Sequence, residues 1–302
     1  MIVVTGAAGF LGSHLVQKLR ANDEHVIPLY RGEECRITEK QWQAELTCKN
    51  HINKLKLDSP VPDTIIHLAG FVNIEFLLSH HNSSIPLIPN NRHITDLYTA
   101  NVISTANILE FCLEKGVKHL IFASSQTVYG IPNKKVLYEH SMYNPLEHYA
   151  ASKMCAEQLL QVGSRQGVTV TCLRFPGLYG EKRKTGIVYH FCKSAKNKKK
   201  IEVVTQLPLP LDVIHIDDVV AGIMSTVKYR GDGWNCFNIS TAEPCNVNIL
   251  ADRIAALIPG CTVEHTQQWQ PVVQMDVTKA EEILKWKAKP SRDRLKSMVE
   301  SI

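Results

Sequence analysis

A doubly wound parallel α/β sheet with a smaller C-terminal α/β substrate domain is the architecture this 302-residue sequence predicts. Three observations carry it. Short β-branched runs alternate with segments of helical period over roughly the first 170 residues, the pattern of a parallel sheet covered on both faces. The first of those runs leads straight into a glycine repeat and a helix. Further on, Tyr149 and Lys153 stand four residues apart on a helix, downstream of the serine pair Ser124-Ser125 at a strand end.

Met1-Ile2-Val3-Val4 suits a buried strand. Thr5-Gly6-Ala7-Ala8-Gly9-Phe10-Leu11-Gly12 follows, then helical spacing from His14 to Leu19. A strand, a Gly-x-x-Gly-x-x-Gly turn and a helix form the context that a dinucleotide pyrophosphate needs, because the turn allows close backbone approach and the helix N-terminus faces the phosphates. His25 to Tyr30 reads as the second strand. Its end, Leu29-Tyr30-Arg31, lacks the carboxylate that reads the ribose of NAD, and Arg31 suits the 2′-phosphate of NADP. NADP is therefore the favoured cofactor and NAD the alternative, with Glu33 and Glu34 near enough to neutralise Arg31.

Glu45-Leu46-Thr47 precedes a short helix around residues 50–55, and Pro62 to Gly70 reads as a buried strand whose end, Leu68-Ala69-Gly70, is small enough for a cofactor to lie across. His67 reads as a core or supporting histidine. Residues 71–92 predict a long loop, and its adjacent His80-His81 do not converge on one ion. A helix is expected over 94–115, closed by Gly116, and a strand over 117–123 that delivers Ser124 and Ser125. The helix bearing Tyr149 and Lys153 is expected over 143–161, and a strand over 168–173 leads into Arg174-Phe175-Pro176-Gly177-Leu178-Tyr179-Gly180. The basic run from Lys193 to Lys200 reads as the solvated end of a helix. Ile214 to Val220 joins a strand to a helix with Asp217 as its N-cap, and helices are expected over 248–257 and 278–285.

A net charge of +5 suits an anionic ligand without requiring one. No aromatics interleave with the basic run, which argues against nucleic acid, and no apolar run reaches membrane-spanning length. The glycine turn begins so early that no room is left for a signal peptide, and the nine cysteines show no zinc spacing. A cytoplasmic protein with reduced thiols and no metal is expected.

A tyrosine and a lysine four apart on a helix share a face. The ammonium is expected to lower the phenol's pKa, so that the tyrosine exchanges a proton with a carbinol oxygen that a serine hydroxyl also holds. The spacing alone is common, and an exposed helical pair is its ordinary meaning.

Thr-Gly-x-x-Gly-x-x-Gly at 5–12, His-Leu-Ala-Gly at 67–70, Asn101 in Asn-Val-x-x-Thr, Ser-Ser-x-x-Val-Tyr-Gly at 124–130, Tyr-x-x-x-Lys at 149–153 and Ile-His-x-Asp-Asp-Val at 214–219 occur in one order. Together they resemble the extended short-chain dehydrogenases/reductases, the NAD-dependent epimerase/dehydratase family. The resemblance implies a Rossmann domain over 1–178 plus 213–242 and a substrate domain over 179–212 plus 243–302. It implies Ser125, Tyr149 and Lys153 as the catalytic set, Asn101 in support, Glu45 and Leu46 near the adenine, and Pro176 near the nicotinamide. On the substrate side it implies Ser125, Gln126, Gly177 and Arg183. The implied reaction is hydride exchange with a substrate carbinol or ketone, on a nucleotide-linked sugar acted on by a 4-keto reductase or epimerase. A homodimer through the helices near 95–115 and 148–162 is also implied. The departures lie on the substrate side. Gly177 stands where nucleotide-sugar members carry Asn, Leu211 where they carry Arg, and Gln268-Trp269-Gln270-Pro271-Val272 lacks a second diphosphate-binding Arg unless Lys182, Arg183 or Lys184 substitutes. A carbonyl reductase or alcohol dehydrogenase of smaller substrates, and a cofactor-sensing protein without turnover, stay open as alternatives.

Overall fold

The computed structural model describes residues 1–72, 92–131, 136–204, 210–229 and 231–302. The expected loop with His80-His81 lies almost wholly outside them. Along the chain run β1 (Ile2–Thr5), α1 (Phe10–Ala21), β2 (Val26–Tyr30), β3 (Arg36–Ile37), β4 (Trp42–Gln43), α2 (Lys49–Asp58), β5 (Thr64–His67), α3 (Arg92–Tyr98) and α4 (Ser104–Lys115). Then come β6 (His119–Ser125), β7 (Val136–Leu137), α5 (His148–Gly163), β8 (Thr169–Phe175), β9 (Gly177–Tyr179), α6 (Ile187–Lys198), β10 (Lys200–Glu202), β11 (Val213–His215) and α7 (Ile216–Val227). β12 (Trp234–Asn238), α8 (Val247–Ala255), β13 (Thr262–Glu264), β14 (Gln274–Met275), α9 (Thr278–Leu284) and α10 (Ser291–Ser301) follow.

Eight strands form one sheet in the order β12-β8-β6-β5-β1-β2-β4-β3, parallel throughout except for β3 against β4. Every residue of β1 and β5 is buried, as in strands covered on both faces. Leu15 and Leu19 of α1, Val219 and Ile223 of α7, and Ala280, Leu284 and Trp286 of the α9 region pack on one face. Leu55 of α2, Ile108 and Phe111 of α4, and Leu160 of α5 pack on the other. A third cluster joins α6, α8 and α10 through Val188, Cys192, Leu250, Ile254, Leu295 and Met298, away from the sheet. The chain leaves β1 for β2 on one side while β5 pairs with β1 on the other, so a crevice opens outside the carboxyl ends of β1 and β5.

The structure departs from the expected elements at three places near that crevice. The helix expected over 94–115 is interrupted by a π-helical turn, Thr99–Ile103, which carries the buried Asn101. The helix expected from Tyr143 starts at His148, after Pro145 and an extended Glu147 at its N-cap, because Tyr143 is held in a buried network instead. The N-cap of α7 is His215 rather than Asp217: His215 Nδ1 accepts from the Asp217 backbone N–H at 3.2 Å. Asp217 and Asp218 lie in the first turn, where Arg294 of α10 holds both.

Candidate active site

The glycine loop closes over the end of β5. Gly6 has φ +66°, and a Cβ there would meet the Ala69 backbone nitrogen at 2.7 Å. A Cβ on Gly12 would meet the Gly6 carbonyl oxygen at 2.2 Å, so α1 approaches the loop as only glycine allows. Thr5 Oγ1 accepts from the Ala69 N–H at 3.1 Å, tying the ends of β1 and β5 together. Beside the loop is a cavity of about 530 Å³ lined in part by Gly9, Phe10, Leu11, Lys182, Arg183 and Lys184. This cradle fits the pyrophosphate of a dinucleotide: it joins close backbone approach, a helix N-terminus and nearby cations. At the far side of β2, Arg31 Nε donates to Glu45 Oε2 at 2.8 Å. Burial works to raise the Glu45 pKa, but the Thr47 hydrogen bonds and Arg31 outweigh it and hold the carboxyl below its usual range.

Ser125 ends β6, and Tyr149 and Lys153 rise beside it from the first turns of α5. Ser125 Oγ accepts from the Thr127 N–H at 3.2 Å and the Thr127 hydroxyl at 3.0 Å. Its own proton is thereby left free, and the Tyr149 phenol is close enough to feel the Ser125 hydroxyl. Lys153 is buried, donates from Nζ to the Ala123 carbonyl at 2.8 Å and lies 4.8 Å from the centre of the Phe122 ring. Burial lowers its pKa to about 8.

The expected fall in the Tyr149 pKa does not occur. Burial and then the Glu147 carboxylate push the phenol up to about 12, and the Ser125 hydroxyl works to lower it. The Lys153 ammonium points at Ala123 instead. Glu147 itself is pushed up by burial. Nothing in the spacing of the motif announces this neighbour, two residues ahead of Tyr149.

Asn101 is 1% exposed and makes three hydrogen bonds. Its Oδ1 accepts from the Phe71 N–H at 2.7 Å, while Nδ2 donates to the Phe71 carbonyl and to Ser152 Oγ, both at 2.9 Å. It therefore clamps the segment after β5 to α5, and Ser152 is the partner that the sequence, with 51 positions between the two, did not reveal. His67 is a core residue. Nδ1 lies 2.8 Å from Thr5 Oγ1 and Nε2 lies 3.1 Å from Thr105 Oγ1. The Thr105 hydroxyl donates to the Asn101 carbonyl, so His67 carries its proton on Nε2. Burial, then Lys153, lowers its pKa to about 3.

Beneath the site runs a buried brace. Arg174 donates to Glu157 Oε2 at 2.6 Å, to the Tyr129 and Tyr143 hydroxyls, and to the Glu139 carbonyl. Tyr129 in turn donates to Asn238 Oδ1 at 2.6 Å, and Ser124 to Glu157. Glu157 also lies near Cys172 and Cys236, the one grouping among the described residues close enough to hold a metal. Arg174 engages both of its oxygens, which leaves that grouping a structural one.

On the substrate side the expected residues separate. Gly177 is exposed and donates its N–H to the Asp212 carbonyl at 3.0 Å, while Leu211 packs against the third apolar cluster. Arg183 lies 5.5 Å from the centre of the Phe10 ring and donates to the Leu178 carbonyl at 2.9 Å, which places it at the glycine-loop cavity. Gln126 is buried beside Ser125, and Pro176 follows β8 directly. The Ile-His-x-Asp-Asp motif serves packing: His215 Nε2 lies 3.2 Å from Glu181, and Arg294 pins α10 to α7.

With the geometry in place, comparison with known proteins agrees on the fold. A protein of Methanocaldococcus jannaschii is 30% identical over 84% of this chain and 81% of its own length. A UDP-glucose 4-epimerase of Lactobacillus helveticus is 25% identical over 95% of this chain and 92% of its own. The solved structure of MoeE5 with UDP-glucose and NAD superposes with a TM-score of 0.76 at 26% identity, covering 99% of this chain and 97% of that one. MoeE5 with UDP-glucuronic acid and NAD gives 0.77 at 25% identity. The NAD dependent epimerase/dehydratase family matches residues 2–239, and the chain is an enzyme of that family.

Proposed function

We propose that the protein is a nucleotide-sugar epimerase that works through Ser125, Tyr149 and Lys153. The observation that carries this reading is the placement of Ser125 at the end of β6 beside the first turns of α5, which bring Tyr149 and the buried Lys153, its ammonium on the Ala123 carbonyl at 2.8 Å. The nicotinamide, when bound, accepts and returns a hydride. Tyr149, acting in its phenolate form, takes the carbinol proton and gives it back, Ser125 holds the carbinol oxygen, and Lys153 supplies the positive charge that favours the phenolate. Return of the hydride to the opposite face of the ketone carbon, with the proton returned to its oxygen, inverts the carbon. The UDP-sugars bound by MoeE5 support the substrate class. We expect the NAD-loaded protein to interconvert UDP-glucose and UDP-galactose, and Tyr149→Phe to lose turnover by at least ~100-fold while binding NAD as before. Unchanged turnover in that variant would remove Tyr149 from the chemistry. A 4-keto reductase would share these groups and consume reduced cofactor at each turnover.

The second reading, a reductase of a smaller carbonyl substrate, is favoured by Gly177 and Leu211, which give a diphosphate no guanidinium to hold. The same assay distinguishes it, since UDP alone then fails to inhibit. NADP as the preferred cofactor rests on Arg31, and that guanidinium already holds Glu45. Arg31→Ala is expected to weaken NADP more than NAD in direct titration; equal loss means that Arg31 does not read a 2′-phosphate. We also infer a homodimer through α4 and α5, which pack together; Ile103, just ahead of α4, and Val162 of α5 are about half exposed, at 48% and 59%. Light scattering at micromolar concentration should give twice the 33.9 kDa chain mass; a monomer rules the interface out.

A further inference from the structure

Gln126 follows Ser125 directly and opens the 3₁₀ turn Gln126–Tyr129. The residue is 8% exposed. Its Nε2 is turned towards the Pro210 carbonyl, 3.5 Å away, and its Oε1 is buried with no hydrogen-bond partner among the described residues. The opposite amide orientation would set two oxygens facing each other across that gap, so Pro210 fixes which end is which. Buried amide oxygens in folded proteins are almost always paired, and an orphan calls for a donor that arrives later. The position of the amide says where that donor sits. Gln126 spans the seam between the strand end that carries Ser125 and the segment Pro210-Leu211-Asp212 that leads into β11.

We propose that the Gln126 amide oxygen is a specificity determinant, accepting a hydrogen bond from a second hydroxyl of the sugar beside the one held by Ser125 and Tyr149. The inference rests on the nucleotide-sugar reading and names what that site recognises. An amide carbonyl accepts a hydrogen bond without exchanging a proton at neutral pH, so Gln126 orients the ring while the proton moves at Tyr149. A sugar that lacks the matching hydroxyl leaves Oε1 unpaired in the complex and binds more weakly.

The test is calorimetric titration of the NAD-loaded Tyr149→Phe protein, which holds the sugar without turning it over. The ligands are UDP, UDP-glucose and its 2-deoxy, 3-deoxy and 6-deoxy analogues, each also titrated into the Tyr149→Phe, Gln126→Met double variant. Methionine keeps the side-chain length and removes both polar atoms. One of the three analogues is expected to bind about tenfold more weakly than UDP-glucose, and in the double variant UDP-glucose should weaken about tenfold while that discrimination disappears. Discrimination that survives the methionine overturns the assignment of Gln126, as does equal binding of all three analogues by the single variant; both leave the nucleotide-sugar reading standing. UDP-glucose binding no tighter than UDP overturns the reading itself and this inference with it. Binding of UDP is retained by a folded double variant, so a loss of all ligands together separates misfolding from the predicted effect, and Gln126→Asn then repeats the comparison with an amide withdrawn from the site.

Discussion

Burial of His67 between Thr5 and Thr105 has a cost that appears only in acid. Its pKa is lowered to about 3 in the folded protein, against an ordinary value of 6.5. Between those two values the unfolded chain binds the proton and the folded chain does not, so stability falls as pH drops through that window. The slope from this one residue is about 1.4 kcal/mol per pH unit at most. Urea unfolding between pH 7 and pH 4 should show it, and His67→Gln should flatten it; an unchanged slope would mean that other groups govern acid stability. The residue scale is also where the sequence was least complete. Tyr149, Lys153 and Ser125 were legible because a strand end and a helical period bring them together. Glu147 and Ser152 were not, because what they do depends on contacts that no local pattern encodes.

At the scale of elements, the helix that carries Tyr149 and Lys153 is anchored one turn further along by Glu157, which is fully buried against Arg174 of β8. A buried ion pair is weak evidence of net stability, but removal of one partner strands the other and costs about 3–5 kcal/mol. Glu157→Gln is expected to lower stability by the smaller end of that range, because the amide still accepts from Arg174 and Ser124. Glu157→Leu should lose the full amount. A urea midpoint unchanged in the leucine variant would show that the tyrosines alone satisfy Arg174. Five strands of the sheet were legible from β-branched runs, while β3, β4 and β12 were not; the helices were legible from their period, apart from the interruption at Thr99–Ile103 and the late start of α5. Both differences arise from side chains used in tertiary contacts, Asn101 by Phe71 and Ser152, and Tyr143 by Glu157 and Arg174. A helix of 11 residues, α10, had no forecast, since its apolar stripe is short and only the third cluster gives it meaning.

For the whole molecule, the path of the chain matters as much as the sheet it builds. After β8 the chain passes through β9 into α6 and β10, then returns through β11 to α7 and β12. It leaves again through α8 and β13, comes back to the sheet's flank with α9, and ends in α10 against α6 and α8. The sheet core and the third cluster are therefore each assembled from separate stretches, joined by repeated passages of the chain between them. A cut after β8 cannot leave the sheet's core whole, because Ile214, Val219, Ile223, Phe237 and Ala280 belong to it and lie beyond the break. The crevice is in this sense sewn shut at the back: its two walls share their thread, and whatever opening admits a substrate has to come from bending at those passages rather than from the separation of independent parts.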